Sequence, residues 1–230
     1  SDLDAILSKL DQAKHALESG KPVQYVIGHT LFCNHRFQVE PGILIPRPET
    51  EELVQHVFTD LTKPTGMKIL DIGTGSGCIA ISIQKAFPDI EVHAIEKSSD
   101  ALKIAQKNAQ VLNAPILWHH LDFLDNKISL PIFDIIVSKP PYIPLRERAF
   151  MEINVREFEP ELALFVPNEN PLIFYEAIAK FGKTNLSQQG VIWTEIHADF
   201  GIPTQQLFES YGYKVKLLQD ENGKIGRAHV

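Results

Sequence analysis

Ile69-Leu70-Asp71-Ile72-Gly73-Thr74-Gly75-Ser76-Gly77 is an apolar run that breaks into glycines and then resumes at helical spacing. Glycines at such a break permit a tight turn and let a ligand approach the backbone, while the helix that follows opens with unpaired N–H groups. The stretch predicts a strand at 67–71, a turn, and a helix at 77–87, the unit from which open α/β sheets are wound. Its spacing is G-x-G-x-G, whereas dinucleotide folds carry G-x-G-x-x-G. A hydride-transferring dehydrogenase is therefore the weakest of the enzyme readings.

Outward from this unit the alternation repeats as strand 90–95, helix 99–111, strands 115–119 and 132–138, helix 171–187, strand 190–196, helix 199–210, and strands 213–219 and 224–230. Strands alternating with helices predict a mostly parallel sheet covered on both faces. Only Asp220-Glu221-Asn222-Gly223 separates the last two strands, too little for a parallel crossover, so the seventh strand is expected to run antiparallel. Upstream, Leu3, Ile6, Leu7, Leu10, Ala13 and Leu17 share one helical face, which Gly20 and Pro22 bring to an end. Tyr25-Val26-Ile27 and Arg36-Phe37-Gln38-Val39, on either side of Cys33-Asn34-His35, predict a β-hairpin. The expected division is residues 1–62 as helix, hairpin and connecting helix, and residues 63–230 as the α/β domain. The stretch 140–170, rich in Pro and Glu, is long for a connection and is expected to be a functional loop with a short helix.

Composition narrows the classes. With 230 residues, 44% hydrophobic and 22% charged, the chain has material for a folded core, which excludes disorder and fibre. Twenty-two Lys and Arg against 29 Asp and Glu give a net charge of −7, which argues against a surface that binds nucleic acid by neutralising phosphates. No apolar stretch approaches the roughly 18 to 20 residues of a membrane span. The acidic start Ser1-Asp2-Leu3-Asp4 is unlike a secretory signal, so a cytoplasmic location is expected. An initial Ser in place of Met suggests that residues precede it. Cys33 and Cys78 lie too far apart for a C-x-x-C motif, and His119-His120 has no second cluster at ligand spacing, so neither a disulfide framework nor a metal site is expected.

Three further features carry chemistry. Glu96 closes the second predicted strand, 19 residues beyond Gly77, where a carboxylate can accept both hydroxyls of a ribose. Asp122 follows the third strand beside Phe123, placed to accept from an amino group on an adenine that the ring packs against. The strand Phe133-Asp134-Ile135-Ile136-Val137-Ser138 ends in Lys139-Pro140-Pro141-Tyr142. Two prolines fix φ and donate no N–H, which leaves the preceding carbonyls free, and Tyr142 offers a flat face to a planar group.

At this point the chain resembles the class I methyltransferases that use S-adenosylmethionine, whose Rossmann-like sheet has seven strands with the last antiparallel. Within them, a Pro-Pro-Tyr element after the fourth strand is similar to that of enzymes that methylate planar NH2 groups. Gln24-Tyr25-Val26-Ile27-Gly28, Leu44-Ile45-Pro46-Arg47-Pro48-Glu49-Thr50-Glu51, Leu70 to Gly77, and Val155-Arg156-Glu157-Phe158-Glu159-Pro160 resemble the protein-(glutamine-N5) methyltransferases of peptide chain release factors, over residues 21 to 227. The resemblance implies that Asp71, Gly73, Thr74, Gly75, Ser76, Gly77, Glu96, Asp122 and Phe123 bind S-adenosylmethionine, with S-adenosylhomocysteine as product. It implies that Lys139, Pro140 and Tyr142 form the catalytic element, and that Lys139, Pro140, Pro141, Tyr142, Arg47 and Glu49 hold the substrate. That substrate is the glutamine of a Gly-Gly-Gln loop in a release factor, with no membrane partner and no direct DNA binding.

The chain departs from the family's pattern where Asn is expected at 139 and Lys stands instead. An amide nitrogen is a poor nucleophile, and two oxygen acceptors on its N–H bonds, one from the side chain at 139 and one from the Pro140 carbonyl, would hold and activate it. Protonated Lys has three donors and no acceptor, so a weakened catalyst is expected. A neutral Lys139 could accept, but needs a large depression of its pKa. A second departure is the N-terminal recognition domain of the family, of which only one helix precedes Gln24. The competing readings are a ribosomal-protein glutamine methyltransferase, an adenine-N6 methyltransferase of nucleic acid, and a non-catalytic module that binds S-adenosylmethionine.

Overall fold

A computed structural model describes residues 2–61, 65–125, 128–219, 223 and 225–230. The chain opens with α1 (Asp2–Glu18) and α2 (Val23–Ile27), followed by the hairpin strands β1 (His29–Phe32) and β2 (His35–Gln38) and by α3 (Pro48–Asp60). The α/β region then runs β3 (Lys68–Ile72), α4 (Cys78–Ala86), β4 (Glu91–Glu96), α5 (Ser99–Leu112), β5 (Leu117–His120) and β6 (Phe133–Ser138). Beyond it come β7 (Ile143–Pro144), a 3-10 helix (Leu145–Phe150), α6 (Ile153–Phe158), α7 (Glu161–Leu164) and β8 (Phe165–Val166). The chain ends with α8 (Ile173–Asn185), β9 (Leu186–Glu195), α9 (Gly201–Ser210), β10 (Lys216–Gln219) and β11 (Ile225–His229).

Seven strands form one sheet in the order β10-β11-β9-β6-β3-β4-β5. The pairs β3–β4, β3–β6, β4–β5 and β6–β9 are parallel, and β11 is antiparallel to both β9 and β10. The expected seven-stranded sheet with its last strand reversed is thus the observed one. The turn at 220–222, residue 224 and the boundary expected between 62 and 63 lie outside the described residues.

Neighbouring residues along each strand serve opposite faces, as the pleat demands. Ile69, Val92, Ile135 and Val137 join α3, α4 and the hairpin's Phe32 and Phe37 in one core. Leu70, Ile95, Ile136 and Ile192 join Tyr175 and Ile178 of α8 and Phe208 of α9 in the other. Hairpin and α3 therefore share a core with the sheet. On α1, Leu3, Ile6, Leu7 and Leu10 fall on the expected helical face and are exposed. No helix among the described residues is long and apolar enough to cross a membrane.

One expected element is corrected. Tyr25-Val26-Ile27 are helical, and the first hairpin strand lies at residues 29–32. Pro22 enters the short helix with φ −53° and Gly28 leaves it in the left-handed region at φ 76°, a start and stop that override the β preference of the three side chains. The hairpin itself is present, with Cys33 and Asn34 both at positive φ, as a two-residue turn between twisted strands requires. The loop at 140–170 is ordered by a two-residue parallel pairing of Ile143 with Phe165 and Pro144 with Val166.

Candidate active site

The sheet order reverses direction at β3, between β6 and β4, and a cavity of about 440 Å³ opens at the carboxyl ends of these strands. Its wall includes Gly73, Thr74, Gly75 and Ser76 after β3, Glu96 at the end of β4, Asp122 and Phe123 after β5, and Lys139, Pro140 and Pro141 after β6. Arg47 joins from the start of α3.

The glycine turn is held from within. The N–H groups of Gly73 and Thr74 both donate to the Ile95 carbonyl at 3.0 Å. Gly75 N–H donates to Glu96 Oε2 at 2.8 Å, and Ser98 N–H donates to Glu96 Oε1 at 2.8 Å. Each Glu96 oxygen thus spends one lone pair on the loops and keeps one for a ligand hydroxyl. Gly77 stands at φ 82°, and a Cβ there would lie 2.9 Å from Ile81 Cδ1 and 3.2 Å from Ala105 Cβ. Gly77→Ala is expected to lower stability by at least about 1–2 kcal/mol from the left-handed backbone alone, read by denaturant unfolding.

Asp71 is fully buried and off the cavity wall. Its Oδ2 accepts from Thr74 Oγ1 at 2.6 Å and from Ala80 N–H at 3.2 Å, while Oδ1 has no partner. Burial pushes this carboxyl up to about 7, and the two hydrogen bonds only partly oppose it. The folded protein then holds a proton that the unfolded chain releases above the usual carboxylate range, so stability falls as pH rises from about 4 towards 7. Asp71→Asn is expected to remove that slope. Melting temperatures of both proteins across the window measure it, and identical slopes would refute the assignment.

Asp122 is placed by an ion pair with Lys97 at 2.7 Å and by the Leu124 N–H on Oδ1 at 3.0 Å. Burial opposes its charge, but these two contacts prevail and hold its carboxyl below the usual range. Phe123 packs edge-on against Phe181 at 5.4 Å.

Lys139 stands as the protonated donor and not as the neutral amine that a large pKa depression would need. Its Nζ lies 3.1 Å from Glu195 Oε1 and 4.8 Å from the centroid of the Tyr142 ring. Burial favours the neutral amine, but the charge of Glu195 and the contact with Tyr142 outweigh it and raise its pKa. Lys139 is a donating cation. Tyr142 is not on the cavity wall; its hydroxyl donates to the same Glu195 oxygen at 2.9 Å. Thr50 Oγ1 donates to Glu195 Oε2 at 2.9 Å. Glu195 was not anticipated, although a lone carboxylate closing the apolar run Val191-Ile192-Trp193-Thr194 was a signal in the sequence.

Other segments singled out in the sequence meet here. Arg47 pairs with the buried Glu159, whose other oxygen accepts from the Ile45 N–H at 3.3 Å. Tyr25 donates to the Ile43 carbonyl at 2.5 Å and packs with Val39, Ile45 and Phe158. Glu49 is exposed and off the wall, its carbonyl accepting from the buried Arg227 at 2.6 Å. Asn108 of α5, also unanticipated, exchanges two hydrogen bonds with the backbone of Gln38 and donates to the Ser76 carbonyl at 2.9 Å, tying the hairpin to the glycine turn. Among the described residues no three His, Cys, Asp or Glu side chains gather as a metal would need.

The cavity suits a nucleoside joined to an amino acid: a ribose acceptor, an ionised acceptor beside an aromatic ring, a glycine turn along one wall, and a volume in the range of small-molecule sites. Fold and site together define a methyltransferase of the S-adenosylmethionine-dependent class. Residues 49–155 match the family model described as Methyltransferase small domain. The 16S rRNA N2 G1207 methyltransferase of Thermus thermophilus, solved with AdoMet and guanosine, superposes with a TM-score of 0.62 at 18% identity, covering 87% of this chain and 49% of that one. The ribosomal protein L11 methylase of Lactobacillus delbrueckii subsp. bulgaricus superposes at 0.57 with 19% identity, covering 84% and 83%. These likenesses concern the fold. In sequence, the release factor glutamine methyltransferase of Bacteroides thetaiotaomicron is 43% identical over 228 residues, 96% of this chain and 81% of the relative. That of Lactococcus lactis subsp. lactis is 40% identical over 223 residues, with the same shares. The chain belongs to the release factor glutamine methyltransferase family.

Proposed function

We propose that the protein methylates the side-chain amide nitrogen of the glutamine in the Gly-Gly-Gln loop of a peptide chain release factor, in the cytoplasm. The observation that carries this is the continuity of one cavity from Glu96 and Asp122 at one end to Lys139-Pro140-Pro141 at the other. S-adenosylmethionine, bound at the first end, supplies a methyl group on a positively charged sulfur. Glu96 accepts its ribose hydroxyls, Asp122 its adenine amino group, and Phe123 lies against the ring. At the second end Pro140 contributes a carbonyl acceptor for the substrate amide, and glycines beside the glutamine let an extended loop enter. In the same reading residues 1–62 serve recognition of the protein substrate and residues 63–230 carry the transfer.

We place the contact with the protein substrate on the exposed apolar side chains of the loop at 140–170. Leu162 lines the cavity and is half exposed, and Phe150 and Ile153, earlier in the same loop, are 89% and 63% exposed. Several charges of this loop are engaged within the chain, Arg148 with Glu161 at 2.7 Å and Arg156 with Glu157 at 2.8 Å. Phe150→Ser is expected to raise KM for the release factor about tenfold, the loss of one buried aromatic contact, and to leave cofactor affinity unchanged. The function is tested with labelled S-adenosylmethionine and a purified release factor. Label is expected on the factor, and none when its Gly-Gly-Gln glutamine is replaced by Glu; label that persists on the replaced factor would overturn the substrate assignment.

A further inference from the structure

Lys139 brings a full positive charge to a cavity that, on the cofactor reading above, also receives a sulfonium. Like charges within one small cavity repel strongly, because low-dielectric walls screen them poorly. Its chain neighbours on the wall, Ser138, Pro140 and Pro141, carry no charge. Yet among the described residues every cation on the wall carries its own carboxylate. Lys97 is paired with Asp122, Arg47 with Glu159 and Lys139 with Glu195. Glu96 is the wall carboxylate left without a cation, its oxygens bonded to backbone N–H groups.

The third pair is built by the fold. Ser138 and Thr194 are register partners in the parallel strands β6 and β9, so residues 139 and 195 leave the sheet side by side. Their side chains are 14% and 12% exposed, and Glu195 lies behind the wall that Lys139 forms. Hydroxyls of Tyr142 and Thr50 fix both Glu195 oxygens, so the carboxylate cannot follow a ligand into the cavity. The proposed transfer itself has no use for a carboxylate at this depth.

We propose that Glu195 is a positioning counter-ion: it anchors Lys139 and cancels its charge, so that the site accepts a cationic cofactor despite the lysine. The distinction that matters to such a device is between S-adenosylmethionine, with its sulfonium, and S-adenosylhomocysteine, with the same groups and a neutral sulfur. Any structural damage weakens both ligands together; an uncancelled charge separates them.

Calorimetric titration of the full chain with each ligand tests this. In Glu195→Gln the affinity for S-adenosylmethionine is expected to fall about tenfold or more relative to that for S-adenosylhomocysteine. In the double variant Lys139→Asn with Glu195→Gln the ratio returns to the wild-type value. Lys139→Met, which leaves the carboxylate uncancelled, shifts the ratio the opposite way and serves should Glu195→Gln not fold. An unchanged ratio in both single variants, or a double variant that fails to restore it, would overturn the proposal while leaving the cofactor reading intact. A wild-type chain that binds neither ligand would remove both.

Discussion

Lys139→Asn is expected to raise turnover on a release factor by about a hundredfold or more, the usual scale for restoring one polar contact that acts on a transition state. The argument rests on what each side chain can do at that place. Lys139 has only donors, and its cation is held against Glu195. A carboxamide has both kinds of group: its NH2 can donate to Glu195 while its oxygen remains to accept an N–H of the substrate. Positive charge develops on the amide nitrogen during transfer, which an acceptor stabilises and a neighbouring cation opposes. Glu195 keeps the hydroxyls of Tyr142 and Thr50 in the variant, so the carboxylate is not stranded. The gain belongs in kcat, because the interaction strengthens in the transition state. Single-turnover assays with both proteins measure it, and equal rates would show that the acceptor at 139 is dispensable here.

What the sequence disclosed follows from how local each cause is. The seven-stranded sheet was legible because its strands are short apolar runs and its helices have a clear period, and the reversal of β11 followed from a connection too short to cross over. The helix at Val23–Ile27 was misread because Tyr, Val and Ile favour strands, whereas Pro22 and Gly28 at its ends decide the local conformation. That the glycine turn, Glu96 and Asp122 share one cavity wall was legible because each follows the end of a strand, where open α/β sheets place their clefts. Asp71 and Gly77 were assigned to the same site but hold the turn from behind, a difference of a few ångströms that spacing does not encode. Glu195 and Asn108 were missed because their roles depend on partners far along the chain: Lys139, Tyr142 and Thr50 for one, Gln38 and Ser76 for the other. Pairing with Glu195 in three dimensions is also what keeps Lys139 the donor-only cation that its residue type implied, since burial alone favours the neutral amine.

Glu96→Gln is expected to weaken both S-adenosylmethionine and S-adenosylhomocysteine by about a hundredfold, with a further loss confined to the cationic S-adenosylmethionine, whereas the loss expected at Glu195 falls on S-adenosylmethionine alone. Glutamine has nearly the shape of glutamate but exchanges one acceptor for a donor. Glu96 lies 8% exposed at the end of β4 with both oxygens facing backbone N–H groups, those of Gly75 and Ser98. Whichever way the amide turns, its NH2 meets one of those donors, and either the glycine turn or the start of α5 loses its anchor. The ribose loses an ionised acceptor as well. Hydrogen bonds to a charged group contribute roughly 1.5–3 kcal/mol each, so two such losses reach the hundredfold scale. The substitution also removes an unpaired negative charge from the cavity wall, so cationic S-adenosylmethionine should lose more than neutral S-adenosylhomocysteine, and the loss common to both reports the ribose contact. Hydrogen exchange at the Gly75 amide provides a ligand-free check, with faster exchange expected in the variant. Wild-type affinity for both ligands in Glu96→Gln would show that the ribose is held elsewhere.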